Sequence, residues 1–269
     1  MLMESFKRII PPKLGRFAVG FLDKRVLDKE SPFIPLWLSL VYGVHLRKID
    51  KNRYRAEGFG EKLLMPQGAW RVLLEIFHDD PYERVLRIER NDVVIDVGAH
   101  VGFFTVKAAR EAGKNGLVVA MEPEPNNAAL LAENVRLAGL NNVVVLKEAA
   151  GARQEKSKLY LIGGTGRAHS LIHQGQDYIE VQVSTLDDII GRLGLKRVDY
   201  VKIDVEGAEL EVLRGAENLL AMPNVKLSIA AYHKMPDGSS EFPMVLSYLK
   251  SKNLETWTNK MGYIYARTK

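Results

Sequence analysis

Residues 93–102 read Val93-Val94-Ile95-Asp96-Val97-Gly98-Ala99-His100-Val101-Gly102, followed by Phe103, Phe104 and Thr105. An apolar run ends in a carboxylate, two glycines follow four positions apart, and an apolar helical pattern opens. This is the pattern of a buried strand, a glycine turn and a helix start. Gly98 is expected to let the backbone pass close to a ligand, and Gly102 to let the helix pack against the strand. The dinucleotide fingerprint Gly-x-Gly-x-x-Gly fits poorly, because the spacing differs and its third glycine is missing. A carboxylate at the strand tip followed by this turn points to a pocket for S-adenosylmethionine, whose ammonium group Asp96 would suit.

Outward from this turn, strands and helices alternate. Strands are expected at 92–97, 117–122, 143–147, 198–204 and 225–232, with helices at 103–112, 126–138, 185–193 and 209–221 between them. Two further strands, 157–162 and 178–184, interrupt the third crossover. A helix at 241–252 and strands near 254–257 and 262–267 complete the pattern. Such alternation predicts an α/β fold: a mostly parallel sheet with helices on both faces. Before the turn, 69–78 and 81–89 read as two short helices. Asp79-Asp80-Pro81-Tyr82 is taken as the cap and start of the second.

Ligands of such sheets sit outside the carboxyl ends of the strands. The second strand ends at Glu122, 20 residues beyond Gly102, where an acid can accept from both hydroxyls of a ribose. Pro123 continues the strand exit. The third strand leads to Glu148 and Ala149, placed to flank an adenine. The cofactor contacts expected at this edge are therefore Asp96, Gly98, Ala99, His100, Gly102, Glu122, Pro123, Glu148 and Ala149. The fourth strand ends in Lys202, Asp204 and Glu206, and the fifth runs into Tyr232-His233.

The stretch from Tyr82 to Trp257 resembles the FkbM family of S-adenosylmethionine-dependent methyltransferases. The resemblance rests on Asp96 to Gly102, Glu122-Pro123-Glu124-Pro125-Asn126 with Asn134, Ser184 to Asp188, and above all Val201-Lys202-Ile203-Asp204-Val205-Glu206-Gly207-Ala208-Glu209 running into Leu213-Arg214-Gly215-Ala216. It departs at His100, where the family often has Asn, and at Ala231-Tyr232-His233, which keeps only the histidine of a Glu-x-His ending. The resemblance implies a Rossmann-like class I methyltransferase fold with a seven-stranded sheet, and methylation of hydroxyl groups on sugars, glycans or other small molecules. It does not extend over residues 1–60.

The methyl carbon of a sulfonium donor is already activated. The chain must hold an acceptor oxygen in line and remove its proton. Asp204, Glu206 and His233 are the candidate bases. Lys202, Asp204 and Glu206 share one face of an alternating strand, so Lys202 is expected to pair with a carboxylate. Asp204 reads equally as a base or as part of an ion pair that orders the turn. His169 and Ser170, near Gly163-Gly164-Thr165-Gly166, read as a surface loop or an acceptor lid. No metal is expected, since two carboxylates are too few to argue one.

Composition narrows the chemistry. There is no cysteine among 269 residues, which excludes disulfides, thiolate catalysis, Cys-ligated zinc and Cys-held iron–sulfur clusters. The net charge of +5 is uneven. Residues 1–60 hold twelve Lys or Arg against six Asp or Glu, a balance of +6, and the remainder holds −1. Residues 1–65 are expected to form a basic, mainly helical extension, with an apolar spacing over Lys13 to Leu27 and an alternation over 46–66 that suggests short strands, and residues 66–269 the methyltransferase domain. That basic segment admits two other readings. One is an RNA or protein methyltransferase docked through residues 1–60. The other is a non-catalytic binding or membrane-associated module. Phe33 to Leu46 is too short to span a bilayer and contains Pro35, which leaves peripheral contact. With no secretory leader apparent, a cytoplasmic location is expected. The sequence leaves the oligomeric state open.

Overall fold

The structure is a computed structural model that describes residues 34–162, 168–172, 175 and 177–269. The expected helix over Lys13 to Leu27 lies outside them. The chain divides into two compact units, Met1–Trp70 and Arg71–Lys269.

In the first unit, α1 (Ile34–Tyr42) is followed by an antiparallel sheet of β1 (His45–Lys48), β2 (Arg53–Gly58) and β3 (Glu61–Pro66), in that order. The short strands suggested over 46–66 are thus present, as a sheet. Ala56 of β2 and Leu63 of β3, which are cross-strand partners, are buried together. Trp37 lies edge-on to Trp70, with ring centroids 6.0 Å apart. No helix among the described residues is long and apolar enough to cross a membrane.

The second unit opens within α2 (Trp70–Leu74), which runs into a π-turn, Glu75–Asp79. Next come β4 (Val93–Val97), α3 (Phe103–Ala112), β5 (Leu117–Met121), α4 (Pro125–Leu137), β6 (Val143–Leu146) and β7 (Ala149–Ala150). An insert contributes β8 (Glu155–Ile162), β9 (Ala168–Ser170) and β10 (Tyr178–Ser184). The chain continues through α5 (Leu186–Leu193), β11 (Tyr200–Ile203), α6 (Glu209–Arg214), α7 (Glu217–Leu220), β12 (Lys226–Ala230), α8 (Phe242–Ser251), β13 (Glu255–Thr258) and β14 (Tyr263–Arg267).

Seven strands form the main sheet in the order β13-β14-β12-β11-β4-β5-β6. From β12 to β6 every pairing is parallel, while β13 and β14 are antiparallel additions. This is the Rossmann-like α/β arrangement that the resemblance implies. The central strands are apolar on both faces because helices cover both. Val94, Ile95, Val118, Val119, Val201 and Leu227 are all fully buried. One layer of the core packs the sheet against Leu186, Ile189, Val212, Leu213, Val245 and Leu249 of α5, α6 and α8.

Local chemistry sets the helix starts. Glu124 accepts from the N–H groups of Asn126 and Asn127, and Pro125 occupies the first turn of α4. Thr185 caps α5 through the Asp188 N–H. The insert strands form a separate four-stranded sheet, β7-β10-β8-β9.

Two expected helices differ. Residues 81–89 form no helix and run as bends. Asp80 is left-handed at φ 47° and closes the preceding π-turn rather than opening a helix. The Tyr265 and Tyr200 hydroxyls then donate to the Pro81 and Tyr82 carbonyls, satisfying the backbone that a helix would have satisfied internally. The helix expected over 209–221 is two short ones, broken at Gly215. A side chain there would sit 2.0 Å from the Gly151 carbonyl oxygen, so the close approach of the two segments replaces a continuous helix.

Candidate active site

A cavity of about 320 Å³ opens at the carboxyl ends of β4, β5 and β11. That size lies at the lower end of small-molecule sites. Glu122, just after β5, lines it. Its two oxygens are fixed by backbone donors: His100 N–H to Oε2 at 2.7 Å, and Glu124 N–H to Oε1 at 3.0 Å. An ionised carboxylate has about four acceptor positions, so each oxygen keeps capacity for a hydroxyl. Burial pushes Glu122 up to about 7, against the lowering effect of the two N–H groups.

The glycine turn beside it is preformed. The Gly98 and Ala99 N–H groups both donate to the Met121 carbonyl. A Cβ on Gly98 would fall 1.9 Å from the Asp204 carbonyl oxygen, and its φ is +75°. Glycine is therefore required by the approach of two strand ends, β4 and β11, as well as by any ligand. Gly102 stands at the start of α3 against Leu131 of α4 and does not line the cavity.

Asp96 is wholly buried and also does not line the cavity. Its Oδ2 accepts from the Thr105 hydroxyl at 2.6 Å, and its Oδ1 lies 3.1 Å from Lys202 Nζ. The expected contact between Asp96 and a ligand ammonium is thus replaced by a lysine supplied from the neighbouring strand. The reason is register: Lys202 is the Cα partner of Asp96 in the β11–β4 pairing. Lys202 consequently does not pair within its own strand face. It also donates to the Gly98 carbonyl at 2.6 Å, locking the glycine turn. Burial alone would lower the Lys202 pKa, but Asp96 and Asp204 outweigh it and raise it.

Asp204 and Glu206 line the same cavity and follow β11, which lies on the other side of β4 from β5. Asp204 Oδ2 accepts from the Tyr82 hydroxyl at 2.7 Å, and Oδ1 lies 3.6 Å from His233 Nε2. Glu206 Oε2 lies 3.4 Å from the same nitrogen. His233 Nδ1 is 3.0 Å from Glu209 Oε1. Burial would lower the His233 pKa, but Glu209, Asp204 and Glu206 hold it up at about 9, so the ring is an imidazolium at neutral pH. A charged imidazole cannot act as the base proposed for it in the sequence. Burial raises Glu206 to about 7, with His233 opposing and Asp204 adding to the rise.

Glu206 adopts φ 56°, an uncommon conformation for a residue with a side chain. The Ser170 hydroxyl donates to its carbonyl at 3.0 Å, and Glu209 accepts from the Gly207 N–H at 3.0 Å. The insert sheet therefore helps to shape the site through Ser170. The side chain of His169 lies outside the described residues.

Of the expected cofactor contacts, Gly98, Ala99, His100, Glu122, Pro123, Glu148 and Ala149 line this cavity. Glu148 is held by the Ser184 hydroxyl at 2.6 Å and by Arg192 at 2.7 Å. Lys202, Asp204 and Glu206 line it as well, and His233 stands behind the two carboxylates. Residues that sequence reasoning passed over are Tyr82, Glu75, Tyr232 and Glu209. Tyr82, Glu75 and Tyr232 line the cavity, and Tyr263 donates to Glu75 at 2.6 Å. Glu209 stood within the quoted Lys202–Glu209 stretch, and Tyr82 within Asp79-Asp80-Pro81-Tyr82. Asp204, Glu209 and His233 offer ligand atoms within 4.8 Å of one another. Both Glu209 oxygens are already committed, to the N–H groups of Val205 and Gly207 and to the imidazole.

Residues 96–265 match the Methyltransferase FkbM domain family, which is more than half of the chain. Among curated proteins, Methyltransferase 1 of Beauveria bassiana is 27% identical over 201 residues, 66% of this chain and 78% of that protein. The 31-O-demethyl-FK506 methyltransferase FkbM of Streptomyces tacrolimicus is 29% identical, covering 64% of this chain and 77% of its own. The hexuronic acid methyltransferase AglP of Haloferax volcanii is 28% identical, covering 65% and 68%. Among solved structures, methyltransferase FkbM from Methylobacillus flagellatus KT aligns with a TM-score of 0.49 at 20% identity, over 68% of this chain. The aligned chain spans 45% of that structure's length.

Proposed function

Because the chain belongs to the FkbM methyltransferase family, we propose that it transfers a methyl group from S-adenosylmethionine to a hydroxyl oxygen of a sugar, glycan or other small molecule. One observation carries the reading. One cavity is lined both by a carboxylate with free acceptor capacity, Glu122 after β5, and by a pair of carboxylates, Asp204 and Glu206 after β11, with β4 between the two strands. The relatives support the acceptor class by name, one being a hexuronic acid methyltransferase and another a 31-O-demethyl-FK506 methyltransferase.

S-adenosylmethionine supplies an activated methyl group, so no nucleophile of the protein is needed. Glu122 accepts the ribose hydroxyls, and Glu148 and Ala149 border the base. Asp204, steadied by Tyr82 and His233, accepts a hydrogen bond from the acceptor hydroxyl and fixes its approach. Glu206, titrating near 7, receives the hydroxyl proton, since a base works best with a pKa close to the working pH. His233, as an imidazolium, stabilises the charge on both carboxylates. Lys202 holds the glycine turn in place.

The test is transfer of isotopically labelled methyl from S-adenosylmethionine to a panel of sugars and polyols by wild type, Asp204→Asn and Glu206→Gln. The expected result is a methyl ether formed by wild type, with turnover lost in both variants and S-adenosylhomocysteine affinity retained. Label found only on nitrogen or carbon acceptors would reject the hydroxyl assignment. Cofactor binding without transfer to any acceptor would favour the non-catalytic reading.

A further inference from the structure

Behind His233 lies a second buried acid that the reaction itself does not use. Glu241 immediately precedes α8 and is 1% exposed. Its side chain does not cap its own helix. Instead Oε1 accepts the Leu210 N–H of α6 at 2.9 Å, and Oε2 is buried with no hydrogen-bond partner among the described residues. That bond sets Glu241 beside Glu209, the residue preceding Leu210, whose wholly buried carboxylate raises the Glu241 pKa.

Glu209 is otherwise richly satisfied. Oε1 accepts the Val205 N–H and faces His233 Nδ1, both at 3.0 Å, and Oε2 accepts the Gly207 N–H at 3.0 Å. A carboxylate offers about four acceptor positions, so one remains. Two buried carboxylates in contact cannot both ionise. A proton on the orphaned oxygen of Glu241 removes both difficulties: it gives that oxygen a partner and fills the last position on Glu209.

We propose that Glu241 is a neutral carboxylic acid whose O–H donates to Glu209, making it the positioning residue that keeps Glu209 ionised and His233 an imidazolium turned toward Asp204 and Glu206. The charged and titratable groups facing the pair are His233, after β12, and beyond it Asp204 and Glu206, after β11. Burial and the Glu209 carboxylate together push Glu241 up to about 9, consistent with this state. The role rests on the reading of the Asp204–Glu206 pair as the acceptor side, but its test needs no acceptor.

Wild type, Glu241→Gln and Glu241→Leu are compared in the full chain. The His233 ring is followed by NMR titration, with its signal identified by its loss in His233→Gln. Unfolding in urea is measured at pH 6 and pH 9. An amide has the same shape as the neutral acid, donates to Glu209 and accepts from Leu210. Glu241→Gln should therefore keep the high His233 titration point and fold as stably as wild type at pH 6, while Glu241→Leu loses stability.

The sign for pH follows from the raised pKa. Folding takes up a proton at Glu241 between its ordinary value of 4.5 and about 9, so wild type loses stability over that range as pH rises. Glu241→Gln lacks this loss and gains on wild type from pH 6 to pH 9. An ionised Glu241 would instead make the glutamine variant lower the His233 titration point by about 1 unit or more. That drop, or a Glu241→Gln protein that folds no better than Glu241→Leu, would overturn the proposal.

Discussion

The hydroxyl of Tyr82 donates to Oδ2 of Asp204 at 2.7 Å across 122 residues of sequence. Tyr82 is 2% exposed, and its pKa is driven well above the ordinary value by burial and by Asp204, so it is a donor at every working pH. Its ring packs edge-on against Phe104 and Tyr263, with centroids 5.5 and 5.4 Å away. An irregular segment is thereby tied to the end of β11, and one oxygen of Asp204 is fixed in direction.

Tyr82→Phe keeps the ring contacts and removes only that bond. A hydrogen bond to a charged group contributes about 1.5–3 kcal/mol, so turnover should fall by roughly 10- to 150-fold. S-adenosylhomocysteine affinity should stay within about twofold of wild type, since the contact is made after β11 and not after β5, where Glu122 stands. Steady-state kinetics with a saturating acceptor, paired with calorimetry, checks both. A loss of cofactor affinity with turnover preserved would contradict the placement of Tyr82.

The pH dependence of turnover should be bell-shaped. Activity rises as Glu206 loses its proton near pH 7, because only the carboxylate can accept one. It falls as the His233 imidazolium deprotonates near pH 9, because Asp204 and Glu206 then lose their shared cation. Glu206→Gln should abolish the rising limb along with most of the activity. Deuterium-free pH–rate profiles of both proteins are the measurement. A profile flat from pH 6 to 8 in wild type would exclude Glu206 as the base.

Gly98→Ala should be severe. The added Cβ meets the Asp204 carbonyl oxygen at 1.9 Å, a backbone atom that cannot rotate aside, and φ at this position is positive. Overpacking and left-handed strain together should cost about 3 kcal/mol or more in urea unfolding. Any folded fraction should have lost turnover, since Asp204 must shift. Gly102→Ala meets only the Leu131 side chain, at 2.9 Å, and should be milder. Equal stability losses in the two variants would argue against the strand-end contact.

The strands and the turn could be read from the sequence because strands buried on both faces carry uninterrupted apolar runs. Val93–Ile95, ending at Asp96, and Leu117–Met121, ending at Glu122, are of this kind. Glu122, Glu148 and the Asp204–Glu206 pair were legible for the same reason, as acids at strand ends. What stayed hidden depends on cross-strand register and tertiary contact. Nothing local says that Lys202 faces Asp96 across β11 and β4 rather than its own strand neighbours. The path of residues 81–89 depends on the Tyr200 and Tyr265 hydroxyls, which capture its carbonyls from distant strands. The break at Gly215 depends on Gly151. Glu241 resembles an ordinary acid at a helix start until Glu209 is seen against it.

The central claim is that S-adenosylmethionine binds in this cavity with Glu122 as the acceptor of its ribose hydroxyls. Calorimetric titration of S-adenosylhomocysteine into wild type and Glu122→Ala tests it most directly. The account predicts micromolar binding by wild type, weakened about tenfold or more in the variant by loss of a charge-assisted contact. It also predicts proton release on binding below pH 7, because the hydroxyls favour the ionised form of a carboxyl held near 7. Absence of binding by folded wild type, or equal affinity in Glu122→Ala, would contradict it.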